Sequence, residues 1–200
     1  MRDIEGFILI GGASSRMGTN KALLSIDGRN FVDRTNDALG SVATKTTLVG
    51  PNETCLNWPS LPAIGDIHVE WGALGGLHSA LSACRAEWAA VVACDLPFVT
   101  GELLKRLAGF REGADAVVPL QRDGIRQPLC ALYRVIACRD RAEQLIADGE
   151  RRPRALLDAV NTRAVGFEEL SDLKGAERFF MNVNTPEDFA HARAIITRED

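Results

Sequence analysis

Ile4-Glu5-Gly6-Phe7-Ile8-Leu9-Ile10-Gly11-Gly12-Ala13-Ser14-Ser15-Arg16-Met17-Gly18-Thr19-Asn20-Lys21-Ala22-Leu23-Leu24 is the stretch around which the rest of the chain is organised. Phe7 to Ile10 is an apolar run that stops at paired glycines, the pattern of a buried parallel strand feeding a tight loop. Gly11 and Gly12 carry no Cβ and let the backbone approach a ligand closely. Small polar residues follow, then Arg16 and Lys21. A strand end that offers amide donors and two cations on one loop has the chemistry of a polyphosphate cradle. Neither common glycine-loop motif fits. A Walker loop needs glycine directly before its lysine, whereas Thr19 and Asn20 separate Gly18 from Lys21. Gly11, Gly12 and Gly18 also miss the G-x-G-x-x-G spacing of the dinucleotide fingerprint.

The remaining chain alternates strand and helix signals. Phe31 to Leu39 has apolar residues at helical spacing and stops at Gly40, while Asp27-Gly28-Arg29-Asn30 reads as a turn. Thr46–Val49 is β-branched and reads as the second strand; a short strand is expected at Leu61–Ile64. Gly72-Ala73-Leu74-Gly75-Gly76 reads as a second glycine-rich turn before a helix from Leu77 to Arg85. Ala89 to Cys94 is apolar throughout and reads as the central strand, ending at Asp95-Leu96-Pro97. Thr100 caps a helix over Gly101–Ala108. Strands follow at Ala116–Pro119, Pro128–Tyr133 and, at an edge, Arg163–Phe167, with helices at Val135–Ala147 and Arg154–Val160. Thr185-Pro186-Glu187-Asp188 opens the last helix with a cap, a proline and two acids.

This alternation predicts a three-layer α/β fold: a doubly wound, mostly parallel, Rossmann-like sheet forming one domain over 1–200. Ligands in such sheets sit outside the carboxyl ends of the strands, so the loops after Ile10, Val49, Cys94 and Pro119 should share one rim. An acid placed directly after the central strand is pinned to that rim. Asp95 therefore suits a hard divalent cation, or it simply ends the strand before Pro97.

Composition narrows the function classes. A hydrophobic share of 46% and a charged share of 25% are those of an ordinary globular protein. A net charge of −4 argues against nucleic-acid binding. No apolar run approaches the ~20 residues of a membrane span, and the charged N-terminus lacks a secretory core, so a cytoplasmic protein is expected. The five cysteines form no C-x-x-C pair and lie mostly in apolar surroundings, which reads as buried free thiols. His68, His78 and His191 show no metal-ligand spacing, and no structural zinc site is expected.

The stretch Leu9-Ile10-Gly11-Gly12-x-Ser14-x-Arg16-Met17-Gly18-x-x-Lys21-x-Leu23-Leu24 resembles the signature loop of the nucleotidyltransferases that activate sugars and molybdopterin. Among these it is most similar to the molybdenum cofactor guanylyltransferases. Ala93-Cys94-Asp95-Leu96-Pro97 resembles their metal-binding stretch. Gly72-Ala73-Leu74-Gly75-Gly76 looks like their Gly-Pro-Leu loop, with Ala73 where proline is usual. Met181-Asn182-Val183-Asn184-Thr185-Pro186 looks like their Asn-x-Asn-Thr-Pro segment.

The resemblance implies GMP transfer from GTP to molybdopterin, with Mg²⁺ and release of pyrophosphate. It makes Arg16, Lys21 and Asp95 catalytic, with Asp95 the metal ligand. Leu9, Ile10, Gly11, Gly12, Ser14, Lys21, Asn52, Asp66, Gly75 and Asp95 become nucleotide contacts. A carboxylate at Asp66 can accept the paired N–H donors of guanine's Watson–Crick edge, though Asp66 also fits a solvated turn. Arg126, Gln127, Asn182 and Asn184 fall on the acceptor side; Asn184 has the alternative task of capping the last helix. Arg151-Arg152-Pro153-Arg154 reads as solvated surface first and a phosphate contact second. Transient contact with molybdopterin-supplying and molybdoenzyme-maturation proteins is also implied. The rival activities are CMP transfer, nucleotide transfer to a sugar phosphate, and a nucleotide-binding regulatory module without turnover. No histidine is expected to be essential, because a phosphate nucleophile needs no general base.

Overall fold

The computed structural model describes residues 3–10, 23–51, 55 and 58–197. Gly11, Gly12, Ser14, Arg16, Lys21 and Asn52 lie outside the described residues.

Seven strands form one sheet: β1 (Ile4–Leu9), β4 (Thr46–Val49), β5 (Ala63–Ile64), β6 (Trp88–Ala93), β7 (Ala116–Pro119), β8 (Cys130–Arg134) and β9 (Thr162–Val165). Their spatial order is β5-β4-β1-β6-β8-β7-β9. All run the same way except β8, which is antiparallel to both neighbours. The expectation of a mostly parallel sheet holds. The reversal at β8 has a local cause: the connection from β7 is too short for a helical crossover, and a strand that returns directly must pair antiparallel.

The strands alternate their side chains between two buried faces. Phe7, Leu9, Val91 and Tyr133 point to one, where α2 (Gly72–Ala83), α4 (Val135–Ala147) and α5 (Pro153–Ala159) pack. Ile8, Val92 and Leu132 point to the other, covered by α1 (Phe31–Leu39) and α3 (Gly101–Ala108). Each fully buried aliphatic side chain contributes roughly 1.5–3 kcal/mol. β6 is buried along its whole length, which is why its residues Trp88-Ala-Ala-Val-Val-Ala93 can be apolar without alternation. Within buried β1, Glu5 is satisfied by Lys45 at 3.2 Å and by the amide of Arg85 at 3.1 Å.

One expectation holds with shorter bounds and one needs correction. The turn at Asp27-Gly28 is the tip of a hairpin between β2 (Ser25–Ile26) and β3 (Arg29–Asn30). Both tip residues have positive φ, 52° and 73°, as a two-residue mirror-image turn requires. The glycine-rich stretch Gly72–Gly76 is not a turn before a helix but the first turns of α2 itself. Gly75 is needed there because a Cβ would stand 2.8 Å from Trp71 Cβ and 3.1 Å from the His68 carbonyl. Glycine at this site serves a close approach of the preceding loop, not chain reversal. The final helix, α6 (Pro186–Ile196), starts as expected, with Thr185 accepting from the Asp188 amide and Asp188 reaching back in a capping box.

Candidate active site

The carboxyl ends of β5, β4, β1 and β6 are stitched into one rim. Gly50 N donates to Ile64 O at 3.1 Å, Ile10 N to Val49 O at 2.9 Å and Cys94 N to Leu9 O at 3.1 Å. Leu9 and Ile10 therefore stand between the turn that bears Asp95 and the segment that bears Asp66. The antiparallel β8 enters at the same rim, with Ala93 N bonded to Leu129 O at 2.8 Å and Gln127 N to Pro119 O at 3.1 Å.

Asp66 follows β5 by two residues and is held over α2. The amide of Ile67 donates to Ser79 Oγ at 2.9 Å, and that hydroxyl donates to Gly75 O at 2.9 Å. A Cβ at Gly76 would lie 3.6 Å from Asp66 Oδ1 and 3.7 Å from Leu9 Cδ1, so these three groups converge. Oδ1 of Asp66 is buried and has no hydrogen-bond partner among the described residues. Desolvation raises the pKa of this carboxyl above the ordinary carboxylate range. A buried acceptor left unpaired costs stability, and a ligand with N–H donors would remove that cost.

Asp95 is half-buried at the turn after β6. Its carbonyl accepts from Val183 N at 3.0 Å, which lays the Asn182-Val183-Asn184 segment against the turn. Val183 is fully buried in a small cluster with Ile26, Phe31, Ala192 and Ile196. Asn182 is exposed and Asn184 half-buried on either side of that plug. The cap of α6 is Thr185; Asn184 contributes its amide, donated to Asp188 Oδ2 at 2.9 Å. The alternative task for Asn184, capping, thus falls to its neighbour. The Asp95 side chain offers carboxylate oxygens at the end of β6, a donor type that fits a hard divalent cation.

Arg126, expected on the acceptor side, stands in a surface ion pair. Arg126 Nη1 pairs with Asp158 Oδ1 of α5 at 2.7 Å, with both side chains substantially exposed. It leaves that pair only at the small cost of a surface ion pair, of order 0–1 kcal/mol. The three arginines of the Arg151–Arg154 cluster are exposed, as the solvated-surface reading expects, and two of them have partners. Arg151 lies over the Trp71 ring at 4.6 Å, and Arg152 pairs with Glu150 at 2.7 Å, which holds the Glu150 carboxyl down to about 2. All five cysteines are buried, and none is in a disulfide. A basic cavity of about 460 Å³ opens beside the Pro97–Gly101 segment, lined by Arg29, Arg34, Lys174 and Arg178 among others. No sequence signal singled these residues out, because they come from two stretches far apart in the chain.

Against this geometry stand the relatives. The family model described as MobA-like NTP transferase domain matches residues 6–165. A molybdenum cofactor guanylyltransferase from Desulfosudis oleivorans is 32% identical over 199 residues, covering 98% of this chain and 97% of its own. A probable molybdenum cofactor guanylyltransferase from Carboxydothermus hydrogenoformans is 32% identical with full coverage of both chains, 100% and 100%. Among solved structures, molybdopterin-guanine dinucleotide biosynthesis protein A from Archaeoglobus fulgidus superimposes with a TM-score of 0.82 at 28% identity, over 97% of this chain and 99% of that one. The 4-diphosphocytidyl-2C-methyl-D-erythritol synthase of Anaerococcus prevotii, at 13% identity and a TM-score of 0.74 over 98% of this chain and 99% of that one, shares the fold. The chain is a nucleotidyltransferase and belongs to the MobA-like NTP transferase family, among the molybdenum cofactor guanylyltransferases.

Proposed function

We propose that the chain transfers GMP from GTP to molybdopterin, forming the guanine dinucleotide cofactor and releasing pyrophosphate. The observation that carries the base assignment is Asp66, whose buried Oδ1 has no hydrogen-bond partner among the described residues and lies beside Leu9 and Gly76. Guanine presents adjacent N1–H and N2–H₂ donors, and a carboxylate is the acceptor that matches both.

In this reading the acceptor's terminal phosphate oxygen attacks the α-phosphorus of GTP in line. The bond from that phosphorus to the β-phosphate oxygen breaks, and pyrophosphate leaves. The chain's part is positioning and charge neutralisation. Leu9, Ile10 and Gly75 shape the nucleotide's seat, with Asn52 a further contact. Amides of Gly11 to Ser15 cradle the phosphates, and Arg16 and Lys21 neutralise the α-phosphoryl group and the departing pyrophosphate. Asp95 is the residue that would hold the divalent cation, Mg²⁺, which when bound supplies Lewis-acid neutralisation of the phosphates. Asn182 and Asn184 orient the acceptor, with Arg126 and Gln127 across the rim. Molybdopterin-supplying and product-receiving proteins are the expected transient partners.

The test is pyrophosphate release by the purified chain with Mg²⁺ and molybdenum-loaded molybdopterin, with GTP and CTP supplied separately. Release with GTP alone is expected. Release with CTP alone would overturn the base assignment, and release with neither would overturn the activity. Asp95→Asn should lower turnover about a thousandfold, since metal neutralisation is worth several kcal/mol, yet still bind GTP. Unchanged turnover in that variant would remove Asp95 from the reaction.

A further inference from the structure

Three side chains remote from one another in sequence meet on the face of the sheet covered by α2 and α4. His68 comes from the loop between β5 and α2, His78 from α2 and Glu143 from α4. His68 Nε2 and His78 Nε2 each lie 2.9 Å from the same oxygen, Glu143 Oε2. The imidazole centroids are 5.1 Å apart, and Ser82 Oγ lies 3.2 Å from His78 Nε2. The ligating atoms all fall within 4.8 Å of one another.

We propose that His68, His78 and Glu143 form a site for a borderline divalent cation of the zinc class, which fastens the 65–71 loop to α2 and α4. The donor set decides the class of ion. Two imidazoles and one carboxylate suit zinc, whereas Mg²⁺ and Ca²⁺ want oxygens throughout. The spacing fits as well: tetrahedral bonds of about 2.0–2.2 Å place ligand atoms roughly 3.4 Å apart. The present separations, 2.9 Å for each nitrogen to Oε2, need only a slight opening. Without an ion, both imidazoles crowd a single carboxylate oxygen, and each can satisfy it only by spending its one proton at Nε2. A cation at that point takes the carboxylate and both Nε2 lone pairs together. Glu143 is about half exposed, which leaves an entry path and room for water as a fourth ligand. None of the five cysteines competes, since all are buried and none belongs to this cluster.

The experiment is Zn²⁺ binding by the full chain, with Mg²⁺ in excess to occupy oxygen sites, and Co²⁺ as a spectroscopic probe. A single Zn²⁺ per chain is expected, with visible Co²⁺ bands of a low-coordinate N/O site and a raised thermal midpoint. His68→Ala alters a half-buried loop side chain and Glu143→Gln an exposed one, and both should fold, yet each should weaken Zn²⁺ by at least about tenfold and abolish the Co²⁺ bands. Asp95→Asn should retain both signals. No Zn²⁺ bound by the unaltered chain, or binding undiminished in His68→Ala or lost in Asp95→Asn, would overturn the proposal.

Discussion

At the scale of the residue, Asp66 shows a side chain held at a cost to the fold. Its carboxyl is desolvated and its pKa raised, so the folded chain holds this proton more tightly than the unfolded chain does. Ionisation of Asp66 at neutral pH therefore works against folding, while the ionised form is the one that accepts guanine's donors. Two consequences follow for Asp66→Asn. Its KM for GTP should rise roughly 10- to 100-fold, the value of one good bidentate contact, while its thermal midpoint should hold or increase. In the unaltered enzyme KM for GTP should climb as the pH falls through the raised pKa of Asp66, and Asp66→Asn should flatten that climb. Steady-state kinetics between pH 4.5 and 8 on both proteins, with calorimetry, checks this. A fallen midpoint with unchanged KM would make Asp66 structural.

At the scale of the element, the segment before α6 depends on two anchors of different kind. Thr185 caps the helix, and Val183 plugs the cluster of Ile26, Phe31, Ala192 and Ile196 while its amide holds the Asp95 carbonyl. Thr185→Ala should cost about 1 kcal/mol, and Val183→Ala about 2 kcal/mol through the cavity it leaves. For a chain of this size each kcal/mol lowers the thermal midpoint by about 2–4 °C. Only Val183→Ala should also raise KM for molybdopterin several-fold, because it loosens the segment carrying Asn182 and Asn184 against the Asp95 turn. Equal kinetic effects of the two substitutions would disconnect the plug from the acceptor side.

At the scale of the whole molecule, the thiols tie stability to alkaline pH. Burial pushes Cys84, Cys130 and Cys138 up to about 12 from an ordinary 9.0. The folded chain keeps these protons after the unfolded chain has released them. Their contribution is therefore complete below pH about 9 and is lost as the pH rises from about 9 towards 12. Urea midpoints should fall steadily from pH 8.5 to 11, and thiol reagents should label these cysteines only as the chain unfolds. Rapid labelling of the folded chain at pH 8 would contradict the burial. No helix among the described residues is long and apolar enough to cross a membrane.

The features that the sequence determined by itself are those whose cause lies within a few neighbouring residues. The apolar run Phe7–Ile10, the all-apolar β6 with Asp95 at its end and the Thr185 capping box each carry their own signal, in hydrophobic period or in a side chain's reach to a nearby amide. Parallel strands with helical crossovers then follow from chain connectivity, and they bring the exits of β1, β4 and β6 to one rim. Tertiary structure alone decided what depends on groups far apart in the chain. It turned β8 antiparallel, made Gly75 a point of close approach to His68 and Trp71, and buried Asp66 Oδ1 against Leu9 and Gly76. It also set Arg126 against Asp158 and gathered His68, His78 and Glu143 on one side-chain oxygen. Such contacts form when packing closes long loops, and the spacing of the residues along the chain holds no record of which will meet.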